Sequence, residues 1–217
     1  MFARLLTPRL ALAVLAMIIV VTASNILVQY PVAFDLGPLH LGDLLTWGAF
    51  TYPFAFLVTD LTNRYDGAAK ARLVVVVGFV LALVLSFYLS TPRIAIASAT
   101  AFLIGQLLDI AIFSRLRNRY WIVPPLTGSL LGSAIDTLIF FTIAFAPALG
   151  FVDALFGMED GSLGFGAPWL GLGSEVPLWT SLATGDFLVK FLAALLLLAP
   201  YRVLMGKLMP LPPLRAA

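Results

Sequence analysis

Six long apolar runs divide the chain and limit the folds that are open to it. A helix of about 20 residues crosses the hydrocarbon core of a bilayer, which is about 30 Å thick. Runs near that length occupy residues 10–30, 43–62, 72–90, 94–114, 126–146 and 179–200. Only 11% of the 217 residues are charged, whereas soluble domains carry about 25%. The sequence therefore predicts an all-α integral membrane protein with six transmembrane helices in a single domain, residues 1–217.

The basic residues between these runs are sorted by side. Eleven of the thirteen lysines and arginines fall on one side of the predicted bundle, namely Arg4, Arg9, Arg64, Lys70, Arg72, Arg115, Arg117, Arg119, Arg202, Lys207 and Arg215. Cytoplasmic connections of membrane proteins are rich in Lys and Arg, so both termini are predicted to be cytoplasmic. Arginines ahead of the first run also fit a signal peptide. The five later runs favour an uncleaved first helix.

The opposite side carries Arg93 and a long loop, about 147–178, rich in Gly and Pro. The four acidic residues of this loop are Asp153, Glu159, Asp160 and Glu175. This composition predicts a flexible cap or a partly re-entrant segment, with no folded domain.

Residue types exclude several kinds of chemistry. The chain has no cysteine and a single histidine, His40. Disulfides, thiolate metal sites and cysteine nucleophiles are therefore excluded, and one histidine cannot form a histidine-based metal cluster. No nucleophile–base set is visible, so we expect no enzyme activity, no metal site and no cofactor. The net charge of +2 is too small to indicate a nucleic-acid partner.

Asp136 lies in the middle of the fifth run, near the midplane of the predicted bilayer. A carboxyl there costs roughly 2.5–3.5 kcal/mol on insertion scales. Ser129, Ser133 and Asp136 are spaced to form a polar stripe beside Gly128 and Gly132. A packing seam of small residues explains the glycines and serines. It does not explain a carboxylate, so a functional role is favoured for Asp136.

The fourth run places Gln106, Asp109 and Phe113 on one helix face. These polar groups are candidate ligand contacts inside the membrane. The alternative is that Asp109 lies close enough to the cytoplasmic edge to be hydrated, or paired with Arg115 or Arg117.

Two further pairs of opposite charge are spaced i, i+4, the favourable separation for a pair within one helix. Asp186 and Lys190 form one of them. It is either a structural pair or a switchable pair that exchanges partners during transport, and the sequence leaves both readings open. Asp60 and Arg64 form the second, at the cytoplasmic end of the second run, where the pair would staple the helix end or a gate.

Asn25 and Gln29 share a face near the outer end of the first run. Such amides serve either as interhelical hydrogen-bond partners or as contacts for a ligand, and the first role is the more common.

The second run has a proline at its centre. Pro53 cannot donate a backbone hydrogen bond, and its ring pushes away the carbonyl of Ala49. A freed carbonyl at membrane depth is tolerated where it is buried in protein or lines a cavity. Tyr52, Phe54 and Phe56 surround this predicted kink and offer flat faces for a planar ligand.

Five stretches of the chain form recognisable motifs. They are residues 22–29 (TASNILVQ), 46–64 (TWGAFTYPFAFLVTDLTNR), 93–98 (RIAIAS), 105–117 (GQLLDIAIFSRLR) and 136–145 (DTLIFFTIAF). Together they closely resemble the queuosine precursor transporter family, also called the vitamin uptake transporter family. The last run, with Asp186, Lys190 and Pro200, is also similar. The resemblance covers nearly the whole chain except 147–178, a loop longer here than expected. It implies a bacterial inner-membrane importer of 7-cyano-7-deazaguanine and 7-aminomethyl-7-deazaguanine, bases used to make queuosine in transfer RNA.

The residues suit such a ligand. A deazaguanine presents N1–H and an exocyclic amine side by side, and one carboxylate can accept from both. Asp136 or Asp109 would be that acceptor, Gln106 or Asn25 would meet the O6 atom, and an aromatic ring would stack on the base. The expected substrate contacts are Asp136, Asp109, Gln106, Asn25, Tyr52, Phe54 and Phe56. The expected coupling or gating residues are Asp60, Arg64, Asp186 and Lys190.

Two transport classes remain open beside the excluded enzyme. One is a stand-alone secondary transporter, with a proton carried by one of the carboxyls. The other is the substrate-binding subunit of an energy-coupling-factor importer. Such subunits usually carry an Ala-x-x-x-Ala seam in the first span, which Ala11, Ala13, Ala16 and Ala23 do not form. Expected partners are the lipid bilayer and the small-molecule substrate. A homodimer also fits, because six spans enclose little volume.

Overall fold

The computed structural model describes residues 7–37, 39–158 and 163–208. Within these ranges five helices are long and apolar enough to cross a membrane. They are α1 (Pro8–Leu27), α4 (Ala68–Leu89), α5 (Pro92–Leu116), α6 (Val123–Phe145) and α8 (Leu178–Leu208). The predicted all-α membrane protein is thus confirmed, and the six-span count stays a prediction.

The remaining predicted span, 43–62, is divided at its proline. Helix α2 covers Trp47–Thr51 and α3 covers Pro53–Asp66. Tyr52 between them keeps helical backbone angles, and its N–H donates to the Gly48 carbonyl at 3.0 Å. The break therefore reflects the missing N–H of Pro53 rather than a turn of the chain. The two segments together run from residue 47 to residue 66.

Local sequence signals explain where the long helices begin. Helices α1 and α5 both start with Thr-Pro, in which the threonine hydroxyl caps the first turn. The Oγ1 atom of Thr7 accepts from the Leu10 N–H at 3.3 Å, and that of Thr91 accepts from the Ile94 N–H at 3.4 Å. Both prolines stand in the first turn, where no hydrogen-bond donor is needed. Gly67, with φ of 84°, makes the sharp connection from α3 to α4.

Helices α5 and α6 pack closely through glycines. A Cβ atom added to Gly105 would lie 3.0 Å from the Gly132 carbonyl oxygen, and one added to Gly132 would lie 2.9 Å from the Gly105 carbonyl oxygen. The small residues of the fifth run therefore form the packing seam that the sequence suggested. Elsewhere large apolar side chains face outward, as Leu12, Tyr88 and Leu196 do. Lipid would cover these surfaces.

The loop at 147–178 contains short secondary-structure elements. Its described part contains a 3₁₀ turn (Pro147–Leu149), helix α7 (Phe151–Phe156) and an antiparallel hairpin of β3 (Gly166–Pro168) and β4 (Glu175–Pro177). A second hairpin, β1 (Asp35–Leu36) with β2 (Leu39–His40), follows α1. These short elements do not form a folded domain within the described residues, and the flexible cap or partly re-entrant segment stays a prediction.

A buried ion pair attaches this loop to the bundle. The Nη1 atom of Arg93, at the start of α5, contacts the Oδ2 atom of Asp153 on α7 at 2.5 Å. The guanidinium also donates to the carbonyl oxygens of Ile143 at 2.7 Å and Ala146 at 2.6 Å. Both charged side chains are buried. The contacts hold α7 against the ends of α5 and α6.

Breaking this pair is expected to loosen the loop. Removing one partner of a buried ion pair costs about 3–5 kcal/mol, because the other charge stays buried. We therefore expect Asp153→Asn to speed proteolytic cleavage within 147–178, measured on the purified protein in detergent. The matched control is Asp66→Asn, which removes a half-buried i, i+4 contact to Lys70. It should change little, since such helix pairs contribute about 0.3–0.5 kcal/mol. Equal cleavage rates in both variants would contradict the expectation.

Candidate functional site

A cavity of about 340 Å³ lies between the helices. Ligand pockets typically span about 300–1,000 Å³ and combine apolar walls with a few polar groups. Here the walls include rings of α5 and α6, and polar groups come from α1, α4, α5, α6, α8 and the α2–α3 junction. The polar and aromatic lining residues include Ser24, Asn25, Gln29, Tyr52, Ser86, Ser98, Phe102, Asp136, Phe140, Phe141, Phe145, Asp186 and Lys190.

The cavity runs from charged residues inside the bundle to one end of the helices. At that end it is lined by Gln29, Ser90, Phe145 and Leu163, which lie at helix termini or in the 147–178 loop. The charge pattern of the sequence predicts that this end is on the outer side of the membrane. Inside, the cavity stops at four residues, Tyr52, Asp136, Asp186 and Lys190, which we call the cavity floor.

Lys190 joins the two acids of the floor. Its Nζ atom lies 2.7 Å from the Oδ2 atom of Asp136 and 2.6 Å from the Oδ2 atom of Asp186. Thr137 Oγ1 donates to the same Asp186 oxygen at 2.7 Å and lies 3.2 Å from Nζ. The sequence predicted the pair within α8. It did not predict the contact between α8 and Asp136 on α6, because i, i+4 spacing reports only on contacts within a helix.

Tyr52 completes the floor from the helix break. Its hydroxyl donates to the Oδ1 atom of Asp136 at 2.7 Å, and the Lys190 Nζ atom lies 5.0 Å from its ring centroid. Both oxygens of Asp136 are therefore occupied. Asp186 differs, since its Oδ1 atom accepts no hydrogen bond among the described residues. Its side chain is also 18% exposed, against 5% for Asp136.

Asn25 lies on the cavity wall but is held by its own helix and by α4. Its Nδ2 atom donates to the Val21 carbonyl at 2.9 Å, and its Oδ1 atom accepts from the Ser86 hydroxyl at 2.7 Å. The interhelical role favoured for this amide is thus observed. Gln29 follows one turn later, and its Nε2 atom donates to the Asn25 carbonyl at 3.3 Å.

Four of the predicted contacts lie away from the cavity. Phe54 points to the outside of the bundle with 44% exposure, because it is rotated by two residues of helix from Tyr52. Phe56 is buried behind Tyr52, against Gly132. Gln106 and Asp109 do not line the cavity either. Of the three aromatic residues around Pro53, Tyr52 alone reaches the cavity.

Gln106 and Asp109 belong to a second polar group deeper in the bundle, with Thr59, Asp60 and Ser129, which we call the inner cluster. The Gln106 Oε1 atom accepts from the Thr59 hydroxyl at 2.6 Å, and Asp60 Oδ2 accepts from the Ser129 hydroxyl at 3.2 Å. Asp109 is fully buried, and neither of its oxygens has a hydrogen-bond partner among the described residues. Asp109 therefore makes no ion pair with Arg115 or Arg117 in the described part of the chain, and its hydration stays a prediction.

The predicted pair of Asp60 and Arg64 is not formed. The Nε atom of Arg64 donates to the Tyr201 hydroxyl at 3.0 Å, and its Nη1 atom donates to the Arg117 carbonyl at 3.0 Å. Arg117 in turn donates to the Arg64 carbonyl. The long Arg64 side chain thus reaches acceptors on α8 and at the end of α5.

The sequence is similar to a known protein family and to several named transporters. Residues 46–91 and 85–205 match the family model described as "Putative vitamin uptake transporter". The "Queuosine precursor transporter" of Escherichia coli (strain K12) is 40% identical over 149 residues, 59% of this chain and 65% of that protein. The "Probable queuosine precursor transporter" of Haemophilus influenzae is 37% identical over 186 residues, 68% of this chain and 79% of that protein.

A more distant relative is the "Probable queuosine precursor transporter" of Bacillus subtilis (strain 168). It is 25% identical over 194 residues, covering 76% of this chain and 73% of that protein. No solved structure shows significant similarity to the chain. The resemblance carried by the sequence motifs is thus confirmed by the family model and by two relatives near 40% identity. The chain belongs to the queuosine precursor transporter family.

Proposed function

We propose that this protein imports 7-cyano-7-deazaguanine and 7-aminomethyl-7-deazaguanine across the bacterial inner membrane. It would act as a secondary transporter, a single six-span domain with both termini in the cytoplasm. The observation that carries the proposal is the cavity of about 340 Å³, which ends on the charged cavity floor and belongs to a chain of this family. Its apolar walls and few convergent polar groups suit a planar base with one polar edge.

We propose that the cavity floor binds the polar edge of the base. Asp186 has the acceptor that is not already engaged, so we assign it the direct contact with the N1–H and exocyclic amine donors. The sequence suggested that Asp136 contacts the base directly. We assign it a different role, because Tyr52 and Lys190 occupy both of its oxygens. It positions these two residues and keeps the floor anionic. With two carboxylates and one ammonium, the floor carries a net charge of −1, which favours hydrogen-bond donors and the ammonium of the aminomethyl precursor.

Tyr52 is the aromatic residue around the helix break that can stack on the base. Base–aromatic stacking contributes about 1–3 kcal/mol per base. Tyr52→Leu is therefore expected to weaken precursor binding by roughly 5- to 150-fold, at 1.4 kcal/mol per tenfold. The measurement is equilibrium binding to the purified protein. Phe54→Leu is the matched control and should bind like the wild type, since Phe54 faces outward. Weakened binding in both variants would contradict a stacking role specific to Tyr52.

The function itself is tested in a bacterium that cannot make the precursors. Cells expressing this chain are fed each deazaguanine at low concentration, and queuosine is measured in transfer RNA. We expect modification to be restored by the wild type and lost in Asp186→Asn. The purified chain alone should also transport precursor in proteoliposomes. Transport that requires an added ATPase module would replace the secondary transporter with the energy-coupling-factor class, and no restoration with either precursor would refute both.

A further inference from the structure

The inner cluster contains two buried carboxyls to which we assign no contact with the base. Asp60 on α3 and Asp109 on α5 are both buried. Ser129 donates to one oxygen of Asp60. The other Asp60 oxygen, both Asp109 oxygens and the Gln106 Nε2 atom have no hydrogen-bond partner within the described ranges. Unsatisfied groups at this depth are rare in folded proteins and call for a bound water, a ligand or a bound proton.

The two carboxyls flank the same turn of α6. The backbone of Gly128 packs directly against an oxygen of Asp109, where an added Cβ would collide with it. The next residue, Ser129, holds Asp60 from the same turn. Two acids from different helices are thus brought together inside the bundle.

The cations around them contact other groups, although one guanidinium donor is left over. Arg64, on the same helix as Asp60, donates to Tyr201 and to the Arg117 carbonyl, and its buried Nη2 atom has no hydrogen-bond partner in the described ranges. Lys190 of α8 contacts Asp136 and Asp186. Helix α6 contributes the hydroxyls of its serines at this level. No described cation forms an ion pair with Asp60 or Asp109, and two neighbouring buried carboxylates without one are strongly disfavoured.

A proton fits this site better than a metal cation does. The space beside Asp60 is about 20 Å³, which holds about one water molecule. Hard cations need about six oxygen ligands, and the free Gln106 Nε2 atom is a donor that would repel a cation. We propose that Asp60 and Asp109 form a proton-binding site, separate from the cavity, that couples import of the base to proton entry. This inference rests on the proposed function.

Lys190 provides the connection between the two sites. It lines the cavity and also the small space shared by Asp60, Ser129 and Ser133. A base that donates to both oxygens of Asp186 competes with Lys190 for the Oδ2 atom. The ammonium, released from Asp186, then stabilises the carboxylate of Asp60, and the O–H proton of that acid leaves to water on the cytoplasmic side. The acid regains its proton from the outer side when Lys190 returns to the floor.

Infrared spectroscopy tests the proton without any transport assay. At neutral pH the purified wild type should show the C=O stretch of a protonated carboxylic acid, shifted in deuterated water. The double variant Asp60→Asn/Asp109→Asn should lose this band, and Asp66→Asn should keep it. A wild-type spectrum without the band, or a band that survives in the double variant, would overturn the proposal. Asparagine is nearly isosteric with aspartic acid, so the double variant preserves the packing.

Proteoliposomes test the coupling. For one proton per base, each unit of pH gradient supports up to about tenfold accumulation. Uptake driven by a pH gradient is divided by uptake measured in counterflow. We expect this ratio to be high in the wild type and to fall to near one in Asp109→Asn. An unchanged ratio in that variant would overturn the coupling. Absence of all uptake by the wild type would refute the proposed function instead, and the infrared band would still decide the proton site.

Discussion

Replacing Lys190 with methionine is expected to lower the free energy of unfolding by about 3–5 kcal/mol, the cost of removing one partner from a buried ion pair. Methionine has a similar length, so the change is mainly the loss of charge. Asp136 and Asp186 would then face each other inside the bundle without the ammonium that contacts both. The measurement is thermal unfolding of the detergent-purified protein beside the wild type.

The matched control removes all three charges. The variant Lys190→Met/Asp136→Asn/Asp186→Asn leaves no uncompensated charge, and neutral replacements of a buried ionic group are often tolerated. We expect it to regain most of the thermal stability while remaining inactive in precursor uptake. If Lys190→Met alone were as stable as the wild type, the bridging role of Lys190 between α6 and α8 would be refuted.

Asp136→Asn is expected to reduce uptake by at least about 30-fold, since losing one charge of a buried hydrogen-bonded pair costs about 2–5 kcal/mol. Asparagine keeps the shape and can still accept from Tyr52. The Lys190 ammonium would then neutralise Asp186 alone, and the floor would lose its net negative charge. Uptake of labelled precursor by cells, normalised to the amount of protein in the membrane, measures the effect.

Asp66→Asn removes one carboxylate outside the cavity and should retain wild-type uptake. Insertion of the wild type, Asp136→Asn and Asp66→Asn is checked by their level in the membrane fraction. Full uptake by Asp136→Asn would remove this carboxyl from the site, and a loss in Asp66→Asn as large as that in Asp136→Asn would show that the effect is not specific to the cavity.

Features within one helix were the ones that the sequence could predict. The pair of Asp186 and Lys190 forms as its spacing indicates, because residues four apart lie on the same face. The buried position of Asp136 follows likewise from its place in an apolar run. Spacing alone failed for Asp60 and Arg64, since the longer side chain finds better acceptors on other helices.

Contacts between distant segments could not be read in this way. The link from Lys190 to Asp136 depends on how α6 meets α8, and the Arg93–Asp153 pair depends on how a loop folds back on α5. The sequence placed both Arg93 and Asp153 on the outer side, which was the available signal for that pair. The orientation of Phe54 could not be predicted either, because proximity to Pro53 along the chain does not determine which aromatic residue faces the cavity.

The polar residues that the sequence assigned to one ligand site lie in two separate places in the structure. The sequence pattern grouped Asp136, Asp109 and Gln106 around one ligand. The structure places Asp136 at the cavity floor and the other two in the inner cluster. This separation leads to two proposed sites, one for the base and one for a proton, with Lys190 bordering both.

Direct binding of labelled 7-aminomethyl-7-deazaguanine to the purified protein tests the central claim most directly. We expect saturable binding of one base per chain, competed by 7-cyano-7-deazaguanine, lost in Asp186→Asn and retained in Phe54→Leu. Binding that survives in a folded Asp186→Asn protein would contradict the assignment of the cavity floor. Absence of binding of either base to folded wild type would contradict the proposed substrate.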